Sequence, residues 1–319
     1  MPTCTVGDMN VVRTRTIRRC RRVGGWSFVL ALREILLQQV LLRHVLGCAL
    51  LALAAGAASS PALAQGRLEA RYTASLAGIP VGKGSWVVDF NDTQYEAAAN
   101  GPTTGLLHAF TDGHGTTATR GTLQAGRPAS AIFASTIVAS NKIDEVHITI
   151  ANGNVKEFTI DPPQDNEPER VPITEAHQRD VLDPMTASLL RVPGNGVLLS
   201  PDSCKQTLSI FDGRLRYDLQ LAFKRMDKVK ADKGYAGPVV VCAVYFTPIA
   251  GYIPSRVAIK YIAKLRDIEV WMAPIAGTRV LVPYRVQGPT PVGQAVLEAT
   301  EFVSVATPTR ASANGTKTQ

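Results

Sequence analysis

From residue 67 onward, apolar and polar positions alternate with a period of two, interrupted by turn residues. That is the signature of half-buried β-strands. Leu68, Ala70, Tyr72, Ala74 and Leu76 form one face of a segment over residues 67–76. Gly78-Ile79-Pro80-Val81-Gly82 turns it, and residues 84–90 run back as a second strand. Segments 93–99, 115–123, 129–139 and 143–151 continue the series. Asn152-Gly153-Asn154 then predicts a tight hairpin, because Asn and Gly tolerate positive φ, with residues 155–160 as its return strand. The second half repeats the pattern over 205–211, 214–225, 239–246, 256–263, 268–273, 278–286 and 294–305.

Two stretches break the alternation. Residues 161–170 are Pro-rich and acidic, which predicts an exposed loop. Residues 183–191 then read as a short helix, with Asp183 placed to cap free N–H groups and Pro184 at the first helical position. Pro193-Gly194-Asn195-Gly196 ends it. Many strands in series around one inserted helix predict a mainly β fold. The expected form is a curved antiparallel sheet, or incomplete barrel, wrapped around a short helix, with a β-sandwich as the alternative.

The first 64 residues follow a different rule. Arginines at 13, 15, 18, 19, 21, 22, 33 and 43 precede an apolar run over 45–58, which ends in Ser59-Ser60-Pro61-Ala62-Leu63-Ala64. A basic region, a short apolar core and an A-x-A site define a secretory signal peptide, cleaved here near Ala64-Gln65. The run is too short to span a bilayer, so the mature chain is not expected to be an integral membrane protein. Val45-Leu46-Gly47-Cys48 resembles a lipoprotein box, but the apolar segment follows Cys48, so soluble export is expected. The expected layout is a leader over 1–64, one β-rich domain over 65–306 and a disordered polar tail over 307–319. The expected compartment is the periplasm.

Apportioning the charge removes one class of partner. The formal net charge is +8, but residues 1–64 carry eight arginines against Asp8 and Glu34. The mature 255 residues therefore hold 26 basic and 24 acidic side chains, a net charge of +2. A nearly neutral domain has no strong electrostatic attraction for a phosphate backbone, so no nucleic-acid partner is expected. Cys204 and Cys242 remain after the leader leaves. In an oxidising compartment an even pair reads as one disulfide, with two separate buried thiols as the alternative. Such a bond would stabilise the fold by roughly 3–4 kcal/mol.

Catalytic signatures are weak. The chain has no phosphate-binding glycine loop and no Gly-x-Ser-x-Gly elbow. His108, Asp112 and His114 are close enough in sequence for a metal or acid–base site, which keeps an envelope hydrolase or metal-dependent enzyme as the lesser alternative. Asp212-Gly213 predicts a hairpin turn, beyond which Arg214, Arg216 and Asp218 share one strand face. They read either as a salt-bridge ladder or as a rim meeting an anionic head group. Trp86, Phe133, Phe223, Tyr245 and Trp271 are the candidate interior for an apolar ligand.

Four segments together resemble a known family. Tyr72 to Gly82, Val181-Leu182-Asp183-Pro184-Met185-Thr186-Ala187, Phe211 to Leu219 and Pro248-Ile249-Ala250-Gly251-Tyr252 occur here in that order. They are similar to the exported bacterial family called domain of unknown function 3108, over roughly residues 67–304. The resemblance implies a periplasmic curved sheet around a helix, similar to half-barrels that hold acyl chains. It also implies that Cys204 and Cys242 match the paired cysteines of one subgroup. It carries no catalytic residues, metal or cofactor. The expected function is therefore non-enzymatic: binding of a lipid or lipoprotein acyl chain, or scaffolding of another envelope protein.

Overall fold

The computed structural model describes residues 65–102, 113–124, 126–140 and 142–306. The expected leader, the expected tail, and His108 and Asp112 all lie outside the described residues.

The first half is a continuous meander: β1 (Gly66–Leu76), β2 (Ile79–Phe90), β3 (Gln94–Pro102), β4 (His114–Gln124), β5 (Arg127–Ala139), β6 (Lys142–Ala151) and β7 (Asn154–Asp161). The period-two pattern sets the inner face. Leu68 and Ala70 of β1, Trp86 and Val88 of β2, Tyr95 and Ala97 of β3, and Val146 and Ile148 of β6 are buried in one core. A loop then leads to α1 (Pro184–Ala187) and the two-residue β8 (Leu190–Arg191). The second half holds β9 (Thr207–Phe211), β10 (Arg216–Lys230), β11 (Lys233–Gly234), β12 (Ala236–Ala250), α2 (Val257–Ile262), β13 (Glu269–Pro274), β14 (Val280–Thr290) and β15 (Gly293–Ala306).

All of these strands join one sheet in the order β7-β6-β5-β4-β3-β2-β1-β15-β14-β13-β12-β10-β9, with β8 added on β14 and β11 on β15. Along that path every pairing is antiparallel. The curved-sheet expectation holds, and a single uninterrupted sheet replaces the sandwich alternative. The sheet is not closed, because its end strands β7 and β9 do not pair. Side chains and a strap bridge the gap. The Phe158 and Phe211 rings meet edge to face at 5.2 Å. The Val181 N–H donates to the Gly153 carbonyl at 2.8 Å, and the Leu182 N–H to the Ser209 carbonyl at 2.9 Å.

α1 sits within the curve, as expected, but it is shorter than the sequence predicts. Asp183 caps it by accepting from the N–H groups of Met185 and Thr186, each at 2.9 Å. The Thr119 hydroxyl donates to the same carboxylate at 3.0 Å, and the Ser130 hydroxyl accepts from the Asp183 N–H at 3.1 Å. These bonds fasten the cap of α1 to β4 and β5. The helix stops at Ala187 because Leu190 and Arg191 pair instead with Leu281 and Val280 of β14.

The expected strand at 256–263 is helix α2, which corrects the sequence reading. Val257, Ile259 and Tyr261 fit a strand, but Ile259 and Ile262 equally fit one helical face, and so short a run cannot discriminate between them. Cys204 and Cys242 are bonded, with Cα atoms 5.6 Å apart, and both are fully buried. The bond ties the turn before β9 to β12, inside a second core that includes Leu221, Val240, Val244 and Met272.

Candidate ligand cleft

The one-turn helix covers only part of the concave face. What it leaves open is a cleft of about 610 Å³. Its floor is Tyr72 of β1, Trp86 of β2, Phe133 and Ile137 of β5, and Val146 of β6. Met185 and Ser188 of α1 form a wall, with Pro283, Val286 and Leu297 from β14 and β15 on one side. Asp144, Asp212 and Arg214 close the other side. The Tyr72 hydroxyl donates to the Pro283 carbonyl at 2.7 Å, which links floor to wall.

The tight β9–β10 turn places its polar residues against the sheet's opposite end. Gly213 has φ of +91°, and a Cβ there would approach Val146 Cγ1 to 2.7 Å. Asp212 accepts from the N–H groups of Arg214 at 2.8 Å and Leu215 at 2.6 Å. Burial pushes its carboxyl above the ordinary aspartate range, against the opposing pull of those bonds and of Arg214. Arg214 pairs with Asp144 of β6 at 3.0 Å and donates to the Pro162 carbonyl at 3.0 Å. Gly251, at φ +82°, supports the turn from behind, since a Cβ there would meet the Arg214 carbonyl at 2.0 Å.

The candidate residues scatter. Trp86, Phe133 and Arg214 line the cleft together. Trp271 is buried outside the cleft lining, its ring faced by the guanidinium groups of Arg225 at 5.1 Å and Arg285 at 4.9 Å. Its indole N–H donates to Asp227 at 2.9 Å, and that bond holds the Asp227 carboxyl below its ordinary range. Phe223 is 39% exposed, which corrects its expected place in the interior: it pairs with Cys242, across from the cleft-facing set. Tyr245 is half-buried beside Arg266, 5.7 Å from its ring. Arg216 pairs with Asp218 on its own strand at 2.6 Å and does not line the cleft. The two arginines therefore form neither a cross-strand ladder nor a joint rim. His114 is exposed at the start of β4, and its expected partners lie outside the described residues.

Nothing in the alternation marks Tyr72, Met185, Ser188, Pro283 and Val286 as cleft residues. Only the curvature that folds β14 and β15 toward α1 brings them together. Two buried atoms of lining residues lack hydrogen-bond partners among the described residues, Nε1 of Trp86 and Nε of Arg214, and neither has surface open to the cleft. Trp86 itself is only 8% exposed.

Residues 71–300 match the family described as Protein of unknown function (DUF3108). The chain belongs to that family. Its resemblance-bearing segments supply Tyr72, Asp183, Met185, Asp212, Arg214 and Gly251, so the family's motifs converge on the cleft and its supports. No curated protein matches the chain. Among solved structures, it is similar to a β-barrel-like protein of domain of unknown function DUF1849 from Brucella abortus. That likeness has 8% identity and a TM-score of 0.42, covering 77% of this chain and 99% of that one. A "putative lipoprotein" from Parabacteroides distasonis matches with 11% identity and a TM-score of 0.27, covering 75% and 95%.

Proposed function

We propose that this family member is a non-enzymatic protein of the cell envelope that holds an apolar or amphipathic ligand in the cleft. The observation that carries this reading is a hollow of about 610 Å³ left open beside α1 and lined chiefly by apolar side chains. That volume falls within the range of small-molecule sites, roughly 300–1,000 Å³. In the lining, Ile137 and Leu297 leave apolar surface unburied, at 51% and 41% exposed, and a ligand's hydrocarbon would cover it. The charged members of the lining, Asp144, Asp212 and Arg214, stand together where the β9–β10 turn meets β6, which suits an amphiphile with one polar end. Export supports the envelope part of the reading and rests on the leader sequence. Among the described residues no helix is long and apolar enough to cross a membrane.

The test is mass spectrometry of the full chain, expressed with its own leader in a Gram-negative host and purified without detergent. A lipid-sized adduct in the native spectrum that disappears on denaturation is the expected result. A clean, ligand-free mass from cells and after incubation with extracted envelope lipids would overturn the carrier reading and leave a scaffold.

A further inference from the structure

The two ends of the sheet are finished differently. At one end the β1–β2 and β14–β15 turns lie side by side, because Leu76 of β1 stands opposite both Ile79 of β2 and Ala295 of β15. The Ala77 N–H donates to the Gln294 carbonyl at 2.9 Å between them. Each turn carries an exposed apolar side chain, Ile79 at 46% and Val292 at 68%, next to an exposed proline, Pro80 or Pro291. The β2–β3, β6–β7 and β13–β14 turns lie at the opposite end. They are Asn91-Asp92-Thr93, Asn152-Gly153 and residues 275–279, and their one large apolar side chain, Ile275, is buried.

The connection from β12 to β13, which contains α2, reaches the same end as the apolar turns. Its last residue, Ile268, accepts from the Val244 N–H at 2.9 Å, and a Cβ on Gly288 of β14 would lie 3.2 Å from Ile268 Cγ1. Apart from Lys260, α2 is made of apolar and aromatic residues, yet none is buried, and Val257 is 80% exposed. Around it Arg256, Lys260, Lys264 and Arg266 are all exposed. None of the four pairs with a carboxylate among the described residues; Arg266 turns back to the Ala263 carbonyl at 3.1 Å and the Leu265 carbonyl at 2.8 Å. With Asp267 as the one acid, residues 251–268 carry a net charge of +3. Residues 65–319 together carry +2, so everything outside this connection sums to −1. The positive charge of the domain is thus gathered where the apolar tips project.

Unpaired cations beside exposed apolar side chains suit an anionic lipid surface, which attracts the charges and admits the apolar groups among its head groups. We propose that this end docks on a membrane bearing anionic lipids. Ile79, Val257 and Val292 enter the head-group layer, and the four basic side chains around α2 meet its phosphates. Single apolar side chains on three separate turns fit a fluid layer better than the contiguous patch that an acidic protein partner would need. The surface adjoins the cleft through the β14–β15 hairpin, which supplies Val286 and Leu297 to its lining. It does not require a cleft ligand and would serve a scaffold equally.

The test floats the full chain, exported with its own leader, on vesicles of phosphatidylethanolamine with phosphatidylglycerol and on vesicles of phosphatidylcholine alone. Binding is expected on the anionic vesicles, weak on the neutral ones, and reduced as salt rises. Lys260→Ser with Lys264→Ser should weaken it roughly 25-fold, at about fivefold per basic residue near the surface. Val257→Ser and Val292→Ser should each cost roughly three- to tenfold. Lys228→Ser with Lys230→Ser removes the same charge from exposed positions at the opposite end and should leave binding unchanged. Val257→Trp should shift its emission to the blue on anionic vesicles. Val197→Trp should not, because Val197 stands beside the β13–β14 turn, where the Gly196 carbonyl accepts from Arg279 at 3.0 Å. Absence of binding to anionic vesicles would overturn the proposal, and salt-sensitive copurification of an acidic protein would then name the alternative occupant. Equal loss in the Lys228 and Lys230 variant, or Val257→Trp emission unmoved on vesicles that bind the protein, would also overturn it. Ligand content in native mass spectra is independent of all these outcomes, so the carrier reading is tested apart.

Discussion

The sheet is joined by a full ladder at one seam and left unpaired at another. Where its two chain ends meet, β1 and β15 pair along eleven residues, from Gly66 with Ala306 to Leu76 with Ala295. Where β7 faces β9, there is no ladder. The gap is held by Phe158 against Phe211, by Gly213 packed on Val146, by the Val181–Leu182 strap and by the Arg214–Asp144 pair. Backbone hydrogen bonds are cooperative and blind to side-chain identity. The second seam depends on a handful of side chains and can loosen without the first. The cleft lies at the looser one, since Asp144, Asp212 and Arg214 belong to both. The difference is one of means: one join is a continuous backbone ladder, and the other is a set of side-chain contacts bordering the cleft.

Breaking the ladder should have the largest effect. Ala70 lies between β2 and β15, so Ala70→Pro deletes a ladder N–H in an interior strand. No cooperatively folded protein should be recovered by circular dichroism, and a normal melt would show that the β1–β15 join is not the dominant one. Phe211→Ala at the other seam should cost about 3–5 kcal/mol in urea unfolding, because the ring is fully buried. A loss under about 1 kcal/mol would mean the seam is closed chiefly by the strap. Tyr95→Phe should cost less, about 1 kcal/mol or somewhat more. It removes the 2.6 Å bond to Thr186 that holds α1 to the sheet and exposes the neighbouring hydroxyl to an apolar edge.

Arg214→Ala should barely change stability, by about 0.2–1 kcal/mol, because its partner Asp144 is substantially exposed. It should nevertheless speed ligand exchange in stopped-flow displacement, and unchanged exchange would count against the seam as the entrance. The smallest effect concerns pH. The Asp212 carboxyl is raised by burial, so its protonated form is favoured in the folded state. Its contribution is full below the ordinary aspartate range and declines as pH rises through the raised folded value. Asp212→Asn keeps the turn's acceptor and should flatten that part of the stability–pH curve. An identical slope would place the titration elsewhere.

Much of the ladder was legible in the sequence, and little of the looser seam was. Period-two alternation located the strands of the meander because one face of each is buried, as in Leu68-x-Ala70-x-Tyr72. It underestimated β10, because over Lys224–Lys230 the half-buried positions are held by Arg225 and Asp227 as well as Val229, so burial alternates while hydrophobicity does not. It misassigned α2, where a six-residue apolar run fits both periods. The Asp183 cap and the cysteine pair were readable because each rests on local chemistry or composition. The cleft was half readable. Trp86 and Phe133 are inward on strands the pattern identifies, but Phe223 sits on the opposite face of β10, where a bulge before Arg225 changes which residues point inward. Alternation cannot reveal such a shift, nor which distant strands face a given ring.

The pairing of β1 with β15 also has a meaning in time. The Thr300 hydroxyl donates to the carbonyl of Arg71, 229 positions earlier. A growing chain makes β1 early, yet one edge of that strand must wait for nearly the last residues of the domain to emerge. Until then seven finished strands expose an open edge that any neighbouring chain could extend. Long-range closure of this kind is slow. Synthesis and delivery of the chain must therefore keep β1 unpaired, or shielded by a helper, until the final strand arrives.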